Sequence, residues 1–124
     1  DLGAAIQSFR FPEFLALVEN AARVMAPPSL WVENAPSSVE LVHRSQPGER
    51  REIVHLVNFT GEMVRPIRKT LPLSNLCLVL RGGPVRKAFT LVRPQNLEAQ
   101  PGPGGVIRLN LPTVDEYEVV VIER

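Results

Sequence analysis

The sequence predicts a mainly β domain, an antiparallel β-sandwich of about seven to nine short strands preceded by one N-terminal amphipathic helix. Three observations lead to this fold class. Apolar residues recur at helical spacing between Pro12 and Pro27. From Leu30 onward the chain alternates short apolar runs with Pro, Gly, Asn and Ser, and no second helical pattern follows. We therefore divide the chain into a connecting segment with the helix, residues 1–29, and a sandwich, residues 30–124, within one structural unit.

The helix is predicted from Pro12 to Ala26. Pro12 suits a first helical position, and Glu13 in the first turn complements the positive end of the helix dipole. Pro27 and Pro28 end the helix because neither can donate a backbone hydrogen bond. The apolar positions at helical spacing are Phe14, Leu17, Val18, Ala21, Ala22, Val24 and Met25.

The β pattern places strands at Leu30–Glu33, Val39–Arg44, Glu52–Asn58, Ile67–Leu71, Cys77–Leu80, Val85–Leu91, Leu97–Ala99, Val106–Leu109 and Glu118–Ile122. Gly83-Pro84 and Gly104-Gly105 predict hairpin connections. The contiguous apolar run from Val119 to Ile122 indicates a central strand that is covered on both faces.

Composition limits the class of partner. The chain has 124 residues, 44% hydrophobic and 22% charged, with a formal net charge of +1. We therefore expect neither a nucleic acid nor a membrane as partner. The single cysteine, Cys77, lies in an apolar run, so we expect a buried, inert thiol and no intrachain disulfide. The chain begins at Asp1 without a signal segment, so we expect a cytoplasmic origin and a piece of a longer or processed protein.

Residues able to perform catalysis are sparse in this sequence. Asp115, Glu116 and Glu118, at the start of the last strand, are expected to lie on a solvated face. His43 and His55 have no second ligand at metal-binding spacing, so we predict neither a metal site nor a cofactor. The simplest interpretation of His55 is a half-buried ring bonded to a neighbouring loop or domain. Catalysis by this chain alone would require His55 to meet a carboxylate such as Glu62 in a deep pocket.

The aromatic residues offer a different kind of site. Trp31, beside the double-proline break, could stack on a sugar ring or could anchor the packing between helix and sandwich. A carbohydrate-binding face would need Trp31, Tyr117 or a Phe exposed beside polar groups such as Asn58, Gln95 or Asn96. The candidate residues for contact with a ligand or another domain are therefore Trp31, His55, Asn58 and Tyr117.

Several short motifs share a family layout. They are His55-Leu56-Val57-Asn58-Phe59-Thr60-Gly61, Arg65-Pro66-Ile67, Leu71-Pro72-Leu73, Leu111-Pro112 and the ending Tyr117-Glu118-Val119-Val120-Val121-Ile122-Glu123. This layout resembles the C-terminal β-domain of bacterial β-galactosidase-like proteins and other glycoside hydrolases, in which a catalytic barrel is followed by a glutamine-amidotransferase-like trimerisation domain. The resemblance implies that the catalytic carboxylates lie on the barrel, so no catalytic residue is carried over to this chain.

The sequence thus favours a non-catalytic accessory domain that packs against or orients other domains of a glycoside-hydrolase-like parent chain. The alternative is a carbohydrate-binding module that uses an exposed aromatic residue such as Trp31. The accessory role predicts an exposed apolar patch of several hundred Å² on the isolated domain. We expect the helix to contribute most to that patch, through Phe9, Phe11, Phe14 and Leu15.

Overall fold

The computed structural model describes residues 12–62 and 66–124. They form one helix, α1 (Pro12–Met25), a single 3-10 turn (Pro47–Glu49) and nine strands. The strands are β1 (Leu30–Glu33), β2 (Val39–Gln46), β3 (Arg51–Asn58), β4 (Cys77–Arg81), β5 (Lys87–Thr90), β6 (Gln95–Leu97), β7 (Ala99–Gly102), β8 (Val106–Asn110) and β9 (Tyr117–Glu123). The mainly β fold with an N-terminal helix is confirmed.

The strands make two antiparallel sheets. One has four strands in the order β1-β4-β8-β7, and the other has five in the order β2-β3-β9-β5-β6. Strand β9 lies between β3 and β5, and its residues Val119 to Ile122 are all buried. The prediction of a central strand covered on both faces is therefore confirmed, since a contiguous β-branched run suits a strand that packs on each side.

The core lies between the two sheets and follows from strand alternation. On β3 the residues Val54 and Leu56 face inward, and on β9 Val120, the partner of Val54, and Ile122 belong to the same buried cluster. The four-stranded sheet supplies apolar residues to the same cluster. The members of this cluster with no measurable or almost no exposure include Leu76, Leu78, Leu80, Leu109 and Val114. Residues two apart on a strand share a face, so the short apolar runs suffice to fill one layer.

Helix α1 stands outside that core. It spans Pro12–Met25, so the predicted helix is confirmed, and it ends one residue before the predicted end at Ala26. Residues 15–25 are all exposed, whereas Phe14 is half-buried. The aromatic residues Phe9 and Phe11 lie outside the described residues. The helix therefore buries little of its apolar side chains against the sandwich.

Three details differ from the sequence-based prediction. The predicted strand Ile67–Leu71 is wrong, because only an isolated bridge between Gly61 and Thr70 forms there. The predicted strand Leu97–Ala99 is instead divided into β6 and β7, which belong to different sheets. Gly83-Pro84 is not a hairpin turn, since it connects β4 in one sheet to β5 in the other. Local turn residues signal a change of direction but do not specify which sheet the next strand joins.

The Gly104-Gly105 turn, by contrast, is a hairpin as predicted. It joins β7 to β8, which pair antiparallel. Gly104 and Gly105 have φ values of 73° and 74°, which side-chain-bearing residues adopt only with strain. The paired residues Gly102 and Val106 enclose a three-residue loop, a length that commonly ends in a residue with positive φ, as Gly105 does.

Candidate functional site

The four candidate residues lie in three different places. Trp31 is on β1 of the four-stranded sheet, whereas His55 and Asn58 are on β3 and Tyr117 is on β9 of the five-stranded sheet. The structure brings His55 and Tyr117 into contact. It separates Trp31 from that pair, because the two sheets are different layers of the sandwich.

His55 and Tyr117 form a fixed pair on the outer face of the five-stranded sheet. Strands β3 and β9 pair Val57 with Tyr117 and His55 with Val119, so the two rings are diagonal neighbours on one face. The rings stack with their centroids 5.9 Å apart and their planes at 23°. His55 Nδ1 and the Tyr117 hydroxyl share a hydrogen bond. The hydrogen-bond partner of His55 is therefore a phenol, not the carboxylate of Glu62 that an independent catalytic site would require.

Trp31 is a packing residue on the outer side of the four-stranded sheet. It is half-buried against a small cluster formed by Cys77, Val79 and Val106. The Arg81 guanidinium lies 5.7 Å from the centroid of the Trp31 ring, within the range of a cation–π contact. The arginine thus occupies a position over the ring that a stacking sugar would need.

A charged pair borders the Trp31 cluster. Glu33 and Arg108, on β1 and β8, form a two-pronged ion pair, with 3.0 Å between Arg108 Nη1 and Glu33 Oε1. This hydrogen-bonded guanidinium holds the pKa of the Glu33 carboxyl below its usual range. Burial raises the pKa of the neighbouring Cys77 thiol, against the opposing charge of Arg108. The buried, protonated thiol matches the predicted inert cysteine.

Asn58 is a structural residue at the end of β3. Its side chain is only 3% exposed. Its Nδ2 donates to the carbonyl oxygens of Leu71 at 2.8 Å and Asp115 at 2.5 Å, and its Oδ1 accepts from Thr60 N at 2.9 Å. One amide group therefore ties together three stretches of chain that leave the sheet at the same end.

The solvated position expected for Glu118 is wrong. Glu118 is 1% exposed, and its carboxylate accepts hydrogen bonds from the backbone amides of Val92 at 2.9 Å, Arg93 at 3.1 Å and Val119 at 2.8 Å. These amides replace water around the carboxylate, which allows a charged group to be buried. Glu118 thereby fixes the loop after β5 to the start of β9.

Asn58 and Glu118 hold the walls of one open cavity, which we call the Tyr117 cleft. It has a volume of about 500 Å³ and is lined by residues from the segments 68–72, 92–93 and 113–118. Arg93 and Asp115 form an ion pair within the lining. Tyr117 is one of the lining residues, and the residue is 38% exposed. The sequence indicated Tyr117 as a candidate. It showed Arg68 and Lys69 as a basic pair, interpreted as solvated, and it gave no signal for Arg93; all three line the cleft from other loops.

Two further properties bear on the class of site. Within residues 12–62 and 66–124, no three His, Cys, Asp or Glu side chains converge in a way that could hold a metal ion. Over the same residues, no helix has both the length and the apolar character needed to cross a membrane.

Comparison with known proteins gives a likeness in structure without one in sequence. No protein-family model matches the chain, and no curated protein matches it. A solved structure with a similar fold is α-L-fucosidase isoenzyme 2 from Paenibacillus thiaminolyticus, with a TM-score of 0.79 and 19% identity over 98% of this chain. Another is a cycloisomaltooligosaccharide glucanotransferase from Paenibacillus sp., solved with cycloisomaltoheptaose, with a TM-score of 0.60 and 15% identity over 75% of this chain.

Both neighbours are much longer than this chain. The matched region is 19% of the fucosidase chain and 16% of the glucanotransferase chain. At these identities the likeness establishes the fold, a β-sandwich that also occurs within two larger carbohydrate-active enzymes.

Proposed function

We propose that this chain is a non-catalytic accessory domain of a larger glycoside-hydrolase-like protein, and that it packs against neighbouring domains of that protein. The observation that carries the proposal is the exposed apolar face of helix α1. In this account residues 1–29 connect the sandwich to the rest of the parent chain.

Most of the apolar face of α1 is exposed. Leu17, Val18 and Met25 fall on one side of the helix, with Val18 and Met25 seven residues apart. Leu17 is 57% exposed, Val18 is 46% exposed and Met25 is 85% exposed. An amphipathic helix normally buries this stripe, and a contiguous exposed apolar face is typical of an interaction site.

The helix also depends on such a contact for its own stability. A helix of 14 residues is marginal in water, because most helical stability in proteins comes from packing of the apolar face. The Glu19–Arg23 ion pair, at 2.6 Å, lies on the opposite side of the helix and is exposed. It contributes only about 0.3 to 0.5 kcal/mol. In this account, a partner docked on the apolar face of α1 supplies the packing that stabilises the helix.

The comparisons support an accessory role within a carbohydrate-active protein. The fold recurs as a minor part of an α-L-fucosidase and of a glucanotransferase. The most buried polar side chains here, Asn58, Thr90 and Glu118, all bond to backbone groups. Their role in this account is to hold the fold together.

The alternative of a carbohydrate-binding module that uses Trp31 has weaker support. Trp31 is half-buried on Cys77, Val79 and Val106, and Arg81 lies near its ring. A sugar could stack there only if Arg81 moved away.

The test is docking in trans. The chain is mixed with the remainder of its parent protein, and binding is followed by calorimetry and by size-exclusion chromatography. The variant Leu17→Glu/Val18→Glu places two charges on the apolar face of α1. The matched control, Ala16→Glu/Asn20→Glu, places two charges on the opposite side of the same helix.

We expect a one-to-one complex with the unchanged chain and with the control, and a loss of affinity of at least about a hundredfold with Leu17→Glu/Val18→Glu. The sandwich should unfold at the same temperature in all three proteins, because residues 15–25 are exposed. The proposal fails if no complex forms, or if both double variants bind as the unchanged chain does.

A further inference from the structure

The Tyr117 cleft is a second surface with the properties of a ligand site, and nothing in the docking of α1 requires it. Its volume of about 500 Å³ lies within the range of small-ligand pockets, roughly 300 to 1,000 Å³. It opens at the end of the five-stranded sheet where β9 begins.

The walls of the cleft are held in place before any ligand arrives. Asn58 bonds to the carbonyl oxygens of Leu71 and Asp115, which lie in two of the three lining segments. Glu118 bonds to the amides of Val92 and Arg93, which form the third segment. Both side chains are almost fully buried, so these bonds are shielded from water. A rigid cleft loses little conformational entropy on binding.

One further contact joins the walls. A backbone bridge pairs Leu73 with Val114, with both N···O distances at 2.9 Å. The segment that contains Leu73 and the segment that leads into β9 are therefore fixed to each other.

The charge of the lining is balanced. It contains three basic and three acidic side chains: Arg68, Lys69, Arg93, Asp115, Glu116 and Glu118. Arg93 is paired with Asp115, and Glu118 is satisfied by backbone amides. Since every basic side chain of the lining has an acidic counterpart, the formal charge of the cleft is zero and favours neither an anion nor a cation. A neutral ligand with many hydroxyl groups can use both donors and acceptors without facing a like charge.

Tyr117 adds an aromatic surface to these polar groups. Its ring is held by the stack on His55 and by the hydrogen bond between its hydroxyl and His55 Nδ1. It stays 38% exposed. An aromatic ring of fixed orientation beside hydrogen-bonding side chains suits the apolar face of a sugar ring together with its hydroxyl groups.

We propose that the Tyr117 cleft binds a neutral carbohydrate, with Tyr117 as the stacking surface and Arg68, Lys69 and Glu116 as hydrogen-bonding groups. The site is distinct from the Trp31 face. It is also independent of docking through α1, since no residue of the helix lines the cleft.

The test uses the 124-residue chain, titrated with neutral gluco-, galacto- and xylo-oligosaccharides. An oligogalacturonate serves as the anionic comparison and a chitosan oligomer as the cationic one. Binding is measured by calorimetry, and the contact surface is mapped by backbone amide NMR. The variants are Tyr117→Ala, Tyr117→Phe and Arg68→Ala. The controls are Lys87→Ala, an exposed basic residue outside the cleft, and Trp31→Ala.

We expect saturable binding of at least one neutral sugar, with shifts of the Val92, Arg93 and Glu116 amides. Tyr117→Ala should weaken it at least about tenfold, whereas Tyr117→Phe keeps the ring and most of the affinity. Arg68→Ala tests the same site with an exposed residue whose loss leaves the core intact. Lys87→Ala and Trp31→Ala should bind as the unchanged chain does.

Three outcomes would overturn the proposal. The first is tighter binding of a charged oligomer than of every neutral sugar. The second is sugar binding that is lost in Trp31→Ala and kept in Tyr117→Ala. The third is no saturable binding of any neutral sugar at millimolar concentration. If the cleft amides then shifted on adding the remainder of the parent protein, the cleft would be an interdomain contact. Docking of the Leu17→Glu/Val18→Glu variant on the parent protein is measured in a separate experiment. Docking through α1 and sugar binding in the Tyr117 cleft can therefore be refuted independently of each other.

Discussion

Helix α1 and the sandwich contain similar apolar residues and bury them to opposite extents. Leu78 on β4 is fully buried between the two sheets, whereas Leu17 on α1 is mostly exposed. The sandwich buries its apolar residues through contacts between distant strands, and its buried Glu118 carboxylate bonds to backbone amides of a distant loop. On the helix, Leu15, Leu17, Val18, Val24 and Met25 remain exposed. The contrast supports the sandwich as the stable unit of the described residues, and it supports the proposed docking of α1 on a partner.

The largest effect should come from the same substitution made in each region. Leu78→Ala removes a fully buried side chain and leaves a cavity, so we expect the free energy of unfolding to fall by about 3 to 4 kcal/mol. Leu17→Ala should change it by less than about 0.5 kcal/mol. Urea unfolding followed by circular dichroism measures both. Similar losses of unfolding free energy in the two variants would show that α1 packs into the core, and would contradict the difference between the two regions.

A smaller effect on the free energy of unfolding is expected when one asparagine is replaced in each region, Asn58 in the sandwich and Asn20 in the helix. Asn58→Ala leaves the Leu71 and Asp115 carbonyls and the Thr60 amide without their partner, so we expect a loss of about 2 to 3 kcal/mol. Asn20→Ala, on the exposed helix, should be within about 0.5 kcal/mol of the unchanged chain. Thermal unfolding compares the two. A loss of less than about 0.5 kcal/mol in Asn58→Ala would mean that the hydrogen bonds of the Asn58 side chain are not needed to keep these loops in place.

The smallest effect concerns ion pairs and depends on pH. The Arg108 guanidinium lowers the pKa of Glu33 in the folded chain, so the unfolded chain takes up the proton first as the pH falls. The stabilisation is therefore present above a pH of about 4.3, the unfolded value, and is lost as the pH falls through the lowered folded value. The difference in unfolding free energy between the unchanged chain and Glu33→Gln should shrink from pH 7 to pH 3.

The helical ion pair provides the control for that experiment. Glu19→Gln breaks the Glu19–Arg23 pair and should leave unfolding of the sandwich unchanged at both pH values, because the pair lies on α1. A Glu33→Gln difference that is the same at pH 7 and pH 3 would contradict the role of its carboxylate charge.

The strands of the sandwich could largely be predicted because their signal is local. Leu30–Glu33 and the run from Val119 to Ile122 are short apolar segments bounded by turn residues, and these local runs placed the strands within about two residues. The segment Ile67–Leu71 has the same local pattern but forms only a bridge at Thr70. Whether a segment pairs depends on a neighbouring strand that the local sequence does not specify.

The candidate site was less predictable, because it is built by distant contacts. Tyr117 and His55 are 62 residues apart, and Glu118 meets the Arg93 amide across 25 residues. The rule that Glu is usually exposed failed at Glu118, since it takes no account of backbone amides brought in from another loop. The sequence did indicate Tyr117 and His55 individually, as an aromatic residue and an imidazole near strand ends.

Amide hydrogen exchange of α1 tests the central claim most directly, in the isolated chain and after adding the remainder of the parent protein. The account predicts that α1 amides in the isolated chain exchange orders of magnitude faster than those of β9, because an uncovered 14-residue helix opens readily. It also predicts that they become protected in the complex while β9 stays unchanged. Protection of α1 equal to that of β9 in the isolated chain would contradict the account, as would fast exchange of α1 in the complex.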